Sequence, residues 1–293
     1  MGVYRAGIVR GLFLSSGVAG SIRTQDQLIA TAEILREKYH FEGYIHLKIM
    51  PGSEFSQVKQ AMRLANRVSI NLEAPNPDRL KKLAPHKAFF EELIQPLMWA
   101  AEIRRESVWN RPASVRQTSI TTQFVVGAAG ESDWELLSTT DRLFREYHLG
   151  RIYYSAFNPI PDTPVENLPS TPPIREHRLY QASMLLKHYG FSLADLAFRK
   201  DGNLDHESDP KEVWAMRHLS HNPVEINTAS RSQLLRIPGI GPKGATNILI
   251  TRKQGKIKAL SELRRLGVNP SRMVNYVLLD GKRPERQKSF WAM

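Results

Sequence analysis

Two glycines set between short helical patterns carry the most specific chemistry in the chain. They lie in the stretch 224–253, at Ile237-Pro238-Gly239-Ile240-Gly241. Ser230 and Gln233 have the spacing of a capping box, so a helix begins there. Leu234, Leu235 and Ile237 give that helix an apolar face. Pro242 suits the first turn of a second helix, where its missing N–H would lack an acceptor in any case. Ala245, Ile248, Leu249 and Arg252 follow at helical spacing. Without Cβ, Gly239 and Gly241 permit positive φ and close approach of another backbone. The N–H groups of the hairpin and of the next helical turn then point outward without partners. Such donors at a helix start attract anions, and Lys243 stands beside them. A nucleic-acid phosphate is the natural ligand.

This stretch resembles a helix-hairpin-helix DNA-binding motif, of the kind found in competence-type DNA receptors and repair enzymes. The contacts it implies fall on Gly239, Ile240, Gly241, Lys243 and Gly244, with Arg252 and Lys253 in support. The alternative is an ordinary tight turn between helices. Charge favours DNA. Residues 222–293 hold 14 Lys and Arg against 4 Asp and Glu, whereas residues 1–221 hold 27 against 25. The basic field therefore belongs to the C-terminal segment, as a phosphate-binding module on a nearly neutral body requires. A basic surface kept for solubility would not need to coincide with the hairpin.

A second constellation is spread over several strands. In the strand expected at 43–50, His46 and Lys48 share one face, opposite Ile45, Leu47 and Ile49. At 68–72, the same period of two puts Ser69, Asn71 and Glu73 together. A fourth strand at 123–126 runs into Gly127-Ala128-Ala129-Gly130. A fifth at 151–157 presents Tyr153 and Ser155, followed by Asn158. Polar residues along one rim suggest a ligand site. They could equally be satisfied interior groups or solvated rim residues.

The elements that must position these residues alternate. A strand lies within 9–18 and ends in Ser15-Ser16-Gly17. Helices are expected at 24–39, with Thr24 as a cap, and at 56–66. Most of 78–106 is helical, 107–119 is a polar loop, and Ser132 or Asp133 caps a helix running to about His148. A proline-rich loop precedes another helix at 176–189. Strand–helix alternation of this kind means right-handed βαβ units and a parallel sheet. The fold class is α/β, with a barrel or part of one as its closure, and sites in such sheets lie at the C-terminal strand ends. Residues 200–222, with a short helix at about 210–219, are expected as a linker. After the first hairpin come a third helix at 260–266, a degenerate second hairpin at Leu266-Gly267-Val268 and a fourth helix at 270–279. Residues 281–293 form a basic tail. The expected division is thus 1–199 body, 200–222 linker, 223–280 helical DNA-binding domain and 281–293 tail.

Other chemistries find less support. The chain of 293 residues has no cysteine, so it offers neither disulfides nor thiolate ligands for zinc or an iron–sulfur cluster. Its nine histidines form no convincing metal pair, and there is no Walker phosphate loop. Ser15 and Ser16 lack a His–Asp arrangement for serine hydrolysis. Arg175-Glu176-His177-Arg178, with Tyr180 after it, could meet a ligand or a domain interface, or form a solvated first helical turn. No apolar run reaches membrane-spanning length and no signal peptide precedes the first strand, so the expected location is the cytoplasm.

The body, at GLFLSSGV, GYIHLK, RVSINLEAP, TTQFVVGA, RIYYSAFNPIPDTP and REHRLYQ, resembles the DNA modification/repair radical SAM proteins. These join a radical S-adenosylmethionine barrel to a C-terminal helix-hairpin-helix. The resemblance runs in order over about residues 9–280. It implies a partial TIM-like radical SAM barrel, S-adenosylmethionine and a [4Fe–4S] cluster. Ser15, Ser16 and Gly17 match the place that binds the amino acid end of S-adenosylmethionine. Asn71 and Glu73 match the place near its ribose or amino group, and Val126 and Gly127 the strand flanking its adenine. One departure matters. The family's Cys-x3-Cys-x2-Cys loop is missing, and the chain starts near the family's second strand. It is then either a truncated form or a degenerate homologue, inactive as a radical enzyme as written, with an exposed sheet edge.

The first expectation is therefore a DNA-binding protein of DNA modification or repair, holding the DNA backbone largely without regard to sequence. The second is a non-catalytic DNA-binding scaffold whose body serves another DNA-repair protein. A third is a different barrel enzyme using Glu73, His46 or Lys48 for acid–base chemistry. Catalytic residues are not assigned and no metal ligand is expected.

Overall fold

The computed structural model describes residues 2–17, 21–110 and 117–284. Contacts divide it into two compact units, 1–176 and 177–293.

The first unit is built on five strands: β1 (Gly11–Leu14), β2 (Tyr44–Lys48), β3 (Arg67–Ser69), β4 (Ser119–Val126) and β5 (Arg151–Ala156). All neighbours pair in parallel and the spatial order is the chain order. Parallel pairing demands crossovers, here supplied by helices. After a single turn, α1 (Gly2–Arg5), the helices of this unit are α2 (Ser21–Glu33), α3 (Phe55–Leu64), α4 (Pro77–Leu83), α5 (Gln95–Asn110) and α6 (Asp133–Glu146), with α7 (Pro173–His188) crossing the boundary between units. Right-handed crossovers without reversal of strand order place the helices on one side of the sheet. This is the winding of a (β/α) barrel, present as an arc whose edges are β1 and β5.

The two faces of the sheet differ accordingly. Ile45, Leu47, Val68, Ile120, Phe124, Ile152 and Tyr154 point to the helical layer and are almost wholly buried. Tyr154 Oη and Thr140 Oγ1 share a hydrogen bond of 2.7 Å, tying α6 to β5. The Gln25 amide oxygen accepts from Met50 N at 2.8 Å and holds α2 against the end of β2. The alternate residues Phe13, His46, Lys48, Asn71, Gln123 and Tyr153 remain partly open on the concave face.

Several local expectations shift. The first long helix starts by Ser21, so Thr24 lies inside its first turns rather than capping it, and its end at Ile34–Lys38 is a π-helix. The third strand ends at Ser69, short of the expected Leu72, and Glu73, left-handed at φ 62°, meets Phe124 only as an isolated bridge. The helix after 95 runs on to Asn110, so the expected loop at 107–119 is partly helical, and 111–116 lie outside the described residues. Ser132, not Asp133, is the cap of α6, through a capping box with Glu135.

The second unit holds α8 (Pro210–Leu219), β6 (Val224–Glu225), α9 (Arg231–Arg236), α10 (Pro242–Thr251), α11 (Leu260–Arg265), α12 (Pro270–Met273) and β7 (Val277–Leu278). Residues 200–222 are not a free linker. Ala215 and Leu219 of α8 are buried in one core with Leu234, Ile237, Ile240, Ile248, Leu263 and Met273. The fourth helix also stops early. Val277 and Leu278 pair in parallel with Val224 and Glu225, so β-branched and apolar residues that fit a helical pattern complete a ribbon instead. Of the expected basic tail, 285–293 lie outside the described residues. Among the described residues no helix is long and apolar enough to cross a membrane.

Candidate functional site

The hairpin forms as its residue types require. The Ser230 side chain accepts from Gln233 N, and the Gln233 side chain accepts from Ser230 N at 2.8 Å. Gly239 stands at φ 83°, and a Cβ there would run into the Asn269 carbonyl oxygen. Its own carbonyl accepts from Asn269 N at 3.1 Å. Gly239 is therefore the point where the first hairpin locks onto the second, in which Gly267 has φ 78°. Gly244 faces the Val268 side chain closely. Pro242 occupies the first turn of α10 and Gly241 caps it in extended geometry. In a helix that starts there, the N–H groups of Lys243 and Gly244 have no intrahelical acceptor.

The basic residues of this unit divide by task. Lys243 and Lys253 are exposed. Arg252 donates to the carbonyls of Ile226, at 3.0 Å, and Ala229, at 2.6 Å, so it fastens the chain ahead of α9. Arg272 is paired with Asp209 and Glu212 at 3.1 and 3.3 Å. Lys211 lies almost wholly inside and donates to the Ile240 carbonyl at 2.6 Å, with the Tyr189 ring 4.5 Å from its nitrogen. Burial drives its pKa down to about 7, against the pull of Asp209. Lys211 thus holds the hairpin from behind, a role its position in an apparent linker concealed. Gly239, Ile240 and Gly241 border a cleft of about 470 Å³ together with Tyr189, Lys211 and Arg272.

On the sheet, the register brings distant residues level: Phe13 beside His46, His46 beside Arg67, Lys48 beside Ser69, and Gln123 beside Tyr153. They line or underlie a cleft of about 480 Å³. Phe13 and His46 stack with centroids 4.4 Å apart. Arg67 donates to Tyr153 Oη at 2.8 Å from beneath. Burial, and next the positive Arg67, lower the His46 pKa to about 4, so its ring is neutral near pH 7. His46 Nε2 is buried and has no hydrogen-bond partner among the described residues.

Of the residues tied to S-adenosylmethionine by resemblance, Ser15 and Asn71 line this cleft. Ser16 and Gly17 are exposed beyond β1. Glu73 is 3.8 Å from the Lys87 ammonium, and Val126 is buried. The Gly127 N–H is taken by the Glu131 carboxylate, and Thr171 fills the space a Cβ would need. Arg175, one of the weaker candidates, is committed to this turn. It pairs with Asp133 at 2.7 Å and donates to the Glu131 carbonyl at 2.7 Å.

Residues 220–269 match the family model described as the helix-hairpin-helix motif. No curated protein matches the chain significantly. Among solved structures, the chain is similar to HydG, a maturase of the [FeFe]-hydrogenase, at 8% identity and TM-score 0.46. It is similar also to the FeFe-hydrogenase maturase HydG from Carboxydothermus hydrogenoformans, at 13% identity and TM-score 0.43. Each alignment covers 61% of this chain, which spans 38% and 40% of the respective maturase chains.

Proposed function

We propose that this chain is a DNA-binding protein of DNA modification or repair that grips the DNA backbone through its helix-hairpin-helix unit. The observation that carries the proposal is the start of α10, where the Lys243 amide has no intrahelical acceptor, the Lys243 side chain is exposed and Gly241 carries no Cβ. A backbone phosphate fits those donors and the helix dipole. Such contacts position the duplex rather than read its bases. Lys253 adds charge at the far end of the helix.

Gly239 is unsuited to test this, since any side chain there pushes the two hairpins apart. Gly241 is suited. Its φ of −100° is ordinary for a substituted residue, and a Cβ would only touch the Tyr189 hydroxyl at 3.4 Å. Gly241→Val combined with Lys243→Ala should weaken duplex binding about tenfold or more, with an unchanged unfolding midpoint. Undiminished affinity in that variant would overturn the proposal.

For the body we propose a ligand-binding role on the concave face. The resemblance assigns S-adenosylmethionine to Ser15, Ser16, Gly17, Asn71, Glu73, Val126 and Gly127, and the support for it is that Ser15 and Asn71 share the cleft. Titration of wild type and Asn71→Ala with S-adenosylhomocysteine tests it; equal binding by both would remove the assignment. The thiolate-held iron–sulfur cluster does not fit this chain's residues, which include no cysteine. The same observation favours a second reading, a DNA-binding scaffold without radical chemistry of its own.

A further inference from the structure

We infer that the concave face of the sheet is a nucleotide-binding site, in which Lys48 anchors a phosphate, Phe13 offers a stacking surface and His46 Nε2 takes a ligand hydrogen bond. The inference rests on the DNA reading above and names the substrate class of the body: a phosphorylated deoxynucleoside.

The lining has the three parts such a ligand needs. The first is a flat apolar surface. Phe13 is 59% exposed although it belongs to a sheet strand, and it is backed by the His46 ring in parallel stack. An open aromatic face of this kind accepts any base. The second is hydrogen-bonding groups able both to donate and to accept. Asn71, two residues past the end of β3, and Gln123 of the neighbouring β4 both line the cleft, and base edges present the same mixture. The third is positive charge without competition. Lys48 lines the cleft, and no carboxylate does so among the described residues. Glu73, which the sequence pattern put on this face, is not among the lining residues and lies 3.8 Å from the Lys87 ammonium.

The orphaned atom is the independent sign. A buried nitrogen with no partner costs stability unless something satisfies it. The sheet could have placed an apolar side chain beside Phe13 and avoided that cost. Instead His46 lines the cleft with a buried, unpartnered Nε2, its charge suppressed by burial and by Arg67. An anion bound at Lys48 favours the imidazolium form and so raises the His46 pKa. The ligand thereby leaves a signature on a residue of this chain that needs no catalytic turnover.

The test is calorimetric titration of the full chain with the four deoxynucleoside 5′-monophosphates, their nucleosides and inorganic phosphate, with the His46 ring titrated by NMR in parallel. Monophosphates are expected to bind about tenfold or more tightly than nucleosides, Lys48→Met to erase that advantage, Lys48→Arg to restore part of it, and the His46 pKa to move upward on binding. His46→Phe keeps the stack and should lose affinity for all nucleosides. Equal binding of nucleoside and monophosphate, an indifferent Lys48→Met, no monophosphate binding, or a stationary His46 pKa would overturn the inference. The S-adenosylmethionine assignment above competes for the same cleft: displacement of the monophosphate by S-adenosylhomocysteine would overturn this inference and leave that assignment standing, and monophosphate binding that S-adenosylhomocysteine does not disturb would do the reverse. Duplex binding by the hairpin is measured on the same Lys48→Met protein. If duplex affinity persists while nucleotides fail to bind, this inference falls and the DNA proposal stands. If nucleotides bind while Gly241→Val/Lys243→Ala leaves duplex affinity intact, the reverse holds.

Discussion

The two units use positive charge in opposite ways. In the hairpin unit most buried or half-buried cations already have protein partners: Arg252 holds carbonyls, Lys211 holds the Ile240 carbonyl, and Arg272 is paired with two carboxylates. What it offers to solvent at the helix ends is the exposed Lys243 and Lys253. On the concave face of the sheet, Lys48 and His46 project from strands whose other side is sealed by the helical layer. The difference teaches where specificity can reside. A surface of main-chain donors and mobile lysines suits any backbone phosphate, whereas a cleft walled by side chains selects a ligand by shape and hydrogen bonds.

The largest expected effect breaks the rigidity of the sheet unit. Arg175 faces Glu131 and Asp133, whose side chains are wholly buried. Arg175→Met should cost roughly 3–5 kcal/mol in urea unfolding, since it removes the cation that faces two buried carboxylates. A cost near zero would show that the turn after β4 is held by packing alone. Next comes the lock between hairpins. Gly239→Val combines a left-handed φ with a clash at the Asn269 carbonyl, and should destabilise the second unit by about 3 kcal/mol. If Gly241→Val proved as damaging, the distinction between the locking and the binding glycine would fail.

Smaller effects sharpen the contrast. Duplex affinity should fall about tenfold or more between about 50 and about 200 mM salt, as release of counterions from several phosphates requires. Nucleotide binding on the sheet, with one anchoring cation, should respond far less. A flat salt response of the duplex would contradict a backbone grip. Lys211 makes the stability of the hairpin unit depend on pH. Its folded pKa of about 7 lies below the ordinary 10.5. Between those values the unfolded chain binds a proton there that the folded chain has released, so stability should rise with pH across that window. Lys211→Met should remove that slope, and an unchanged slope would mean that the buried ammonium keeps its proton.

The parts of this organisation visible in the sequence were the local ones. The capping box at Ser230, the proline at the start of α10 and the paired glycines are contiguous, and each acts within one turn. The period of two in β2 and β3 likewise marks His46, Lys48, Ser69 and Asn71 as one face. What stayed hidden depends on partners far along the chain. Residues 200–222 look like a linker because their acidic, glycine-containing run is polar, yet α8 buries Ala215 and Leu219 against residues that follow it by tens of positions. The helical pattern at 270–279 gives way to β7 because Val224 and Glu225 offer unpaired backbone. Arg67 gave no signal, since its role emerges only when register sets it beside His46 and within reach of Tyr153.

The ribbon of β6 and β7 has a mechanical consequence. Its strands are parallel, and the chain enters the pair of hairpins along one and leaves along the other. Tension between the entry and the exit therefore slides the strands along each other. The Val224 N–H to the Tyr276 carbonyl and the Ile226 N–H to the Leu278 carbonyl, at 2.9 and 3.0 Å, bear that load together rather than one after the other. The hairpins lie inside this clasp. A pull applied between Val224 and Leu278 is met by these bonds before it reaches the hairpins.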